Sequence, residues 1–431
     1  MDFLLGLEIV DGPLVLGTLV IACVFVAVLL AARTTRWRLL RLLIAASGGA
    51  LVAFAFTVVW NAVGAFDLYL PAGIVRRLMG TGAALGAVIA CFWDPPLWRK
   101  VLAAVAIPVV ALAGGIQVNS YFGLDRTVGA LFGVTTGQTI DVGSVAKGEE
   151  PDREKKLYEW TPPAGMPAGG RRGSVEIPSS GFAARKAALY LPPAALVPEP
   201  PRLPLLVFMM GYPGTPDVTA MADFLDEFAR QHHGLAPIVV VADQVGTKGD
   251  PTCADSIAHG PAESYILNDV VPWARHALNV FGDSAHTAIG GYSNGGACAF
   301  KFVATRPDLF SGLAAVSPEE FPGAESPGPA LRDVFRGDQK AFDAAKPASI
   351  LALHPGSYGH VTAVFTSGDQ DPTFAPGVER AAKAAEAAGM HVAYRVVPGA
   401  GHVKGALEGG IRPVFDILYP ALELSPPRIG R

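Results

Sequence analysis

Apolar positions dominate the first quarter of the chain, in runs that cover Leu14 to Ala32, Leu42 to Val63, Leu78 to Trp93 and Val101 to Val118. Each run is near the roughly 20 residues that carry a helix across a bilayer, the third if it begins close to Ile74. Buried core helices would have a similar composition. Four such runs in succession, with almost no charge inside them, favour membrane-spanning helices. Acidic Glu8 and Asp11 precede the first run, where a cleaved signal peptide would carry basic residues. Arg33, Arg36, Arg38 and Arg41 follow the first run, and Arg99 and Lys100 follow the third. The positive-inside bias puts both of those loops in the cytoplasm, with Arg76 and Arg77 in the second loop weakening the asymmetry. Four crossings then leave the N-terminus and everything after Val118 on the outer face. No ionisable residue lies in the middle of a run, where a transporter or proton path would keep one, so the region reads as an anchor.

The pattern changes twice after the last run. Residues 119–173 are mixed, with "VNSYFGLDRTVGALFGV" suiting an interface and "AKGEEPDREKK" and "TPPAGMPAGGRRG" being charged and then rich in Pro and Gly. They read as a juxtamembrane connector. From Ser174 to Arg431, short β-rich runs alternate with helical ones. "ALYLPP", "LPLLVFMM", "APIVVVAD", "HTAIGGYS", "FSGLAAVSP", "HVTAVFTSG" and "HVAYRVVP" predict strands. "VTAMADFLDEFARQHH", with Asp217 as its cap, "ESYILNDVVPWARHALNVF", "NGGACAFKFVATRP" and "GVERAAKAAEAAG" predict helices. Such alternation implies a mostly parallel sheet covered by helices on both faces. The expected organisation is thus a four-helix transmembrane region at 1–118, a connector at 119–173 and an α/β domain at 174–431.

Composition sharpens this division. The mean hydropathy of +0.35 and the 17% charged residues over 431 positions are averages of an apolar part and an ordinary globular part. A formal net charge of −4, without basic clusters interleaved with aromatics, argues against a nucleic-acid partner. Cys23 and Cys91 fall in apolar runs, leaving Cys253 and Cys298 in the globular part. An extracytoplasmic location would permit a bond between them. Cys298 also suits a buried helix position, and the sequence reading favours free thiols.

Candidate chemistry gathers where strands end. "GGYSNGG" holds Ser293 between Gly291 and Gly295, after a predicted strand and before a predicted helix, the setting in which a G-x-S-x-G serine is presented as a nucleophile. The competing role is a helix-capping serine. A serine hydroxyl needs a base, and His402, carried by the loop "PGAG" beyond the last strand, is the choice over His354, His360 and His391. The acid that orients the imidazole comes from "GDQDP", with Asp371 chosen over Asp369, and with Glu319 and Glu320 as weaker sources. The backbone N–H groups of Tyr212, in "GYPG", and of Asn294 are the candidate oxyanion donors. No H-E-x-x-H and no zinc-type spacing occurs, so neither metal nor cofactor is expected.

On these motifs, from about Ser174 onward, the chain resembles the α/β-hydrolase superfamily. Within it the resemblance is to the esterase D-like branch, which includes actinobacterial mycolyltransferases and feruloyl and formylglutathione esterases. Four membrane helices joined to such a domain resemble envelope esterases of high-GC Gram-positive bacteria, some of which hydrolyse aminoacylated phosphatidylglycerol. The resemblance implies a multi-pass protein of the bacterial cytoplasmic membrane with an extracytoplasmic serine hydrolase domain. Its expected partner is a membrane lipid or lipid-linked ester, aminoacyl-phosphatidylglycerol being the specific candidate. An envelope acyltransferase and a non-catalytic membrane-bound binding module are the alternatives.

Overall fold

The computed structural model describes residues 2–10, 12–31, 35–63, 70, 72–123, 126–131, 138–148 and 156–427. Asp11, Arg33 and the charged stretch 149–155 lie outside the described residues. The chain divides into two compact units, 1–134 and 135–431.

The first unit contains helices Pro13–Leu30, Arg36–Val63, Ala72–Ala90 and Leu97–Phe122, the third extended by a tight turn over Cys91–Trp93. All four are long and apolar enough to cross a membrane. Their apolar side chains point largely outward, Leu51 and Val52 being 68% and 72% exposed, which is the opposite of what buried core helices would show. The second and third helices meet through small residues. A Cβ on Gly82 would lie 2.4 Å from the Gly49 carbonyl oxygen, and one on Gly86 only 2.0 Å from that of Ala45. Such close backbone approach lets the two helices pack through direct van der Waals contact. Asp94, 3% exposed, pairs with Arg38 (Nε, 2.8 Å), Arg99 (Nη1, 3.3 Å) and Arg41. Arg38 and Arg99 also donate to the Leu29 carbonyl at 2.9 and 2.8 Å, satisfying an acceptor at the end of the first helix. Three of the arginines that set the orientation argument therefore also hold four helix ends together.

The second unit is built on an eight-stranded sheet. In chain order its strands are β1 (Arg171–Val175), β2 (Ala187–Leu191), β3 (Leu205–Met209), β4 (Ile238–Ala242), β7 (Thr287–Tyr292), β8 (Gly312–Val316), β9 (Thr362–Gly368) and β10 (His391–Val397), while β5 (Asp255–Ser256) and β6 (Gly260–Pro261) form a separate small hairpin. The spatial order is β1-β2-β4-β3-β7-β8-β9-β10, with β2 antiparallel to both of its neighbours and every other pair parallel. Every residue of β3, β4, β7 and β8 is buried. Since alternate side chains in a strand face opposite ways, both faces of the central sheet are covered, as the unbroken apolar runs require. The expected strands and helices of the catalytic domain are all present, including the Pro272-containing segment. That segment is helical over Ala262–Ser264, Tyr265–Val270 and Val271–Ala277, with a wide π-type middle turn, and leaves the helix before Leu278, Val280 instead bridging to Leu203.

Two expectations need correction. The connector expected at 119–173 is not a separate segment: the fourth helix continues to Phe122, and the second unit begins at 135. Ile140 and Leu157, buried to 2% and 8% exposure, join the core of that unit, and Ile140 N donates to Ser174 O beside β1. Two isolated apolar residues in a polar, Pro- and Gly-rich stretch carry no periodicity, so their burial was not legible locally. The cysteines, expected as thiols, form a Cys253–Cys298 disulfide with a Cα separation of 5.3 Å. Cys298 does occupy a buried helix position, as anticipated, but the loop bearing Cys253 folds directly against it. Lys301, one turn further along the same helix and 4% exposed, donates to the Cys253 carbonyl and to Glu263 Oε2 (2.8 Å), pinning the same loop.

The disulfide closes a 45-residue separation, for which chain entropy gives about 4 kcal/mol of stabilisation. The double variant Cys253→Ser, Cys298→Ser is expected to lose about 2–4 kcal/mol, read by denaturant unfolding of the second unit's signal with and without reductant.

Candidate active site

Ser293 ends β7 and begins helix Asn294–Thr305, at φ 53° and ψ −118°. This conformation is rare for a residue with a side chain and costs on the order of 1–3 kcal/mol. It persists because the turn is fixed on both sides: Ser293 N donates to Val316 O (3.0 Å), and its carbonyl accepts from Ala297 N (3.0 Å). The flanking glycines are required by space. A Cβ on Gly291 would fall 2.1 Å from the Gly295 carbonyl carbon, and one on Gly295 would fall 2.3 Å from Met209 O.

The other two predicted side chains come to this serine. His402 Nε2 lies 2.8 Å from Ser293 Oγ, and His402 Nδ1 lies 2.9 Å from Asp371 Oδ2. Facing a carboxylate, Nδ1 carries the proton, which leaves Nε2 to accept from the serine hydroxyl. Asp371 is 4% exposed and its Oδ1 accepts from Phe374 N (3.0 Å). Loops after β9 and β10 are zipped together by Asp369 N to Val397 O (3.1 Å) and Gln370 N to Ala400 O (2.9 Å). Gly368 permits this, since a Cβ there would sit 2.1 Å from Ala400 O. Asp369 itself accepts from Gly399 N (2.7 Å) and serves that turn, not the histidine. His360 bonds the Pro307 carbonyl, and His391 begins β10 at the surface, so neither approaches Ser293.

Residues that sequence reasoning did not single out complete the surroundings. The Tyr292 hydroxyl donates to the His402 carbonyl oxygen, and Phe374 stacks on the imidazole with centroids 3.8 Å apart. Together they fix both backbone and ring of the base. Burial pushes the Tyr292 phenol well above its ordinary range, with the Asp371 and Glu325 charges adding to it. On the oxyanion side, a Cβ on Gly211 would lie 3.3 Å from Ser293 Cβ, so the loop after β3 runs beside the nucleophile. Gln244, just beyond β4, donates through Nε2 to Met210 O (2.6 Å) and to Asn294 Oδ1 (3.1 Å). It thus ties the Tyr212 loop to the start of the nucleophile helix. Asn294 Nδ2 in turn donates to Asp250 Oδ2 (3.0 Å). Both ends of the Asn294 side-chain amide are therefore engaged. Arg185 pairs with buried Asp243 (Nη2 to Oδ1, 2.6 Å) and donates to Gly214 O (3.1 Å), holding the far end of the same loop. None of these partners has a motif: only the strand ends they follow could have pointed to them.

Glu319 follows β8 and is 3% exposed, accepting from Glu325 N at 3.2 Å. Burial, reinforced by the Asp250 and Glu325 charges, pushes its carboxyl up to about 8, so it is not the acid of the histidine. A carboxyl raised in this way favours the folded state below its unfolded value of about 4.3, and that contribution is lost as pH rises through about 8. Glu319→Gln is therefore expected to flatten the fall in Tm between pH 5 and pH 9, with its gain over the native protein largest at pH 9. Scanning calorimetry at both pH values measures it; parallel curves would remove Glu319 from the buried titration.

The model of the family described as "Putative esterase" matches residues 183–406, just over half of the chain. An uncharacterized protein of Corynebacterium glutamicum is 32% identical over 239 residues, 53% of this chain and 56% of its own length. The chain thus spans about half the length of the curated relative it matches. Among solved structures, an S-formylglutathione hydrolase from Agrobacterium tumefaciens aligns at 17% identity and a TM-score of 0.49, over 60% of this chain and 97% of its own. A ferulic acid esterase aligns at 17% identity and a TM-score of 0.48, over 59% and 98%. The chain belongs to the esterase family matched at 183–406, which makes its second unit, with its mostly parallel sheet, a carboxylic ester hydrolase domain.

Proposed function

We propose that the protein is a membrane-anchored serine esterase that hydrolyses an ester of a lipid or lipid-linked envelope substrate on the outer face of the cytoplasmic membrane. The observation that carries the catalytic part is the hydrogen-bonded series Ser293 Oγ, His402 Nε2, His402 Nδ1 and Asp371 Oδ2, at 2.8 and 2.9 Å. Ser293 attacks the ester carbonyl as His402 takes its proton, and Asp371 holds the imidazole and stabilises its charged form. The N–H groups of Tyr212 and Asn294 receive the oxyanion. His402 then protonates the departing alcohol, and water repeats the sequence on the acyl-enzyme.

Anchoring supports a lipid substrate, because confinement to the membrane raises the effective concentration of a lipid ester at the site. The outer location draws support from the basic loops after the first and third helices and from the Cys253–Cys298 disulfide, a bond that persists in oxidising compartments. Aminoacyl-phosphatidylglycerol is the specific candidate. Asp250, bonded to Asn294 beside the nucleophile, gives that side of the site a carboxylate. A carboxylate there suits an acyl group that bears an ammonium.

Fluorophosphonate labelling of membranes containing the full chain is expected for the native protein and absent for Ser293→Ala and His402→Ala. Asp371→Asn is expected to lower the rate of ester hydrolysis by about 10⁴-fold, by fixing the wrong imidazole tautomer. Labelling that survives in His402→Ala would overturn the assignment. Deleting the gene is expected to raise aminoacyl-lipid in lipid extracts; unchanged levels would remove that substrate and leave the esterase.

A further inference from the structure

The first unit holds a cleft that an anchor alone does not need. A cavity of about 480 Å³ opens between helices Pro13–Leu30, Ala72–Ala90 and Leu97–Phe122. Its wall is apolar and made in part of small residues, among them Leu19, Ala22 and Val26 from the first of these helices, Ala84 from the second, and Val110 and Ala113 from the third. Along the first helix the lining runs from Leu19 to Leu30, about 16 Å at 1.5 Å per residue. That is about the depth of one leaflet of a hydrocarbon core roughly 30 Å thick.

One cation lines this apolar slot. Arg77 lies about 8 Å along its helix from Ala72, at the level where headgroup and hydrocarbon meet. A surface arginine on such a helix would extend freely toward water. Arg77 is instead held against the cleft: Nη1 donates to the Gln117 carbonyl at 2.7 Å, and the guanidinium lies 4.9 Å from the centre of the Tyr121 ring. A guanidinium has five N–H donors in a planar fork, so the bond to Gln117 leaves most of the fork for a second partner. An oxyanion with two acceptor oxygens matches it bidentately, and phosphate does so with good geometry. A long apolar slot with one fixed guanidinium at its rim is complementary to an amphiphile with one anionic head.

We infer that this cleft binds a single anionic phospholipid, one acyl chain lying along the slot and the phosphate on Arg77. The inference rests on the reading of the four helices as membrane-spanning, and on nothing in the esterase site. Its occupant is a resident lipid of the membrane unit, chosen by charge from the surrounding bilayer.

The test uses the purified full chain, equilibrated in detergent with equimolar phosphatidylglycerol and phosphatidylcholine of identical chains, with retained lipid counted by native mass spectrometry. The native protein is expected to keep one phosphatidylglycerol with about tenfold preference, the factor that one charge-assisted contact supplies. Arg77→Gln is expected to bring the preference close to one. Gly80→Leu is expected to abolish retention of either lipid, because Gly80 lines the cavity and a Cβ there meets nothing within 4 Å, so the larger side chain enters the slot without disturbing the helix. Equal retention of the two lipids by the native protein, or an unchanged preference in Arg77→Gln, would overturn the site. Should Arg77→Gln fail to fold, retention by Gly80→Leu at the native level would overturn it alone. Recovery of the native chain in the soluble fraction without detergent would instead defeat the membrane reading, while fluorophosphonate labelling would still report on the esterase.

Discussion

The backbone turn at Ser293 is the constraint on which the catalytic unit depends. Holding a residue with a side chain at φ 53° is unfavourable, and the helix that follows must pass close to the sheet. Only bare backbone at Gly291 and Gly295 allows that approach. The strain is offset by the burial of β7 between β3 and β8 and by the hydrogen bond from Ser293 N to Val316 O. Once the turn is fixed, the hydroxyl stands at the carboxyl edge of the sheet, and every other functional group reaches it from a neighbouring strand end.

Positioning of those groups is shared between two braces. On one side, the loops after β9 and β10 are joined by main-chain hydrogen bonds, so Asp371 and His402 are set by the same register that pairs the strands. Tyr292 and Phe374 then hold the histidine. On the other side, Gln244 and Arg185 tie the loop after β3 to the end of β4 and to Asn294. Buried polar side chains of this kind are costly unless satisfied. Here each satisfies a main-chain carbonyl of the loop after β3. Beneath them, the disulfide and Lys301 keep the loop that carries Asp250 against the nucleophile helix.

The first unit follows different rules, because much of its apolar surface faces outward and does not hold its helices together. Its cohesion comes from close contact at Gly49, Gly82 and Gly86 and from the Asp94 cluster with its three arginines. A buried carboxylate is tolerable there because the pairing is multiple and the arginines also serve helix-end carbonyls. Where the helices do not close, they leave the cleft with Arg77 at its rim.

The sequence by itself determined the periodic and the local. Four apolar runs of bilayer length, the alternation of strand and helix, and the turn chemistry around Ser293 all depend on neighbours within a few residues. The order Ser293, Asp371, His402 was legible for the same reason, since each follows a strand whose end is marked by small residues. Tertiary structure decided whatever depends on which strand ends become neighbours. It separated Asp371 from Asp369, which differ by two positions but face different loops. It joined Cys253 to Cys298 and drew Ile140 and Leu157 into the core. It also recruited Gln244, Asp250 and Phe374, single polar or aromatic residues whose contacts span tens of positions and leave no periodic trace.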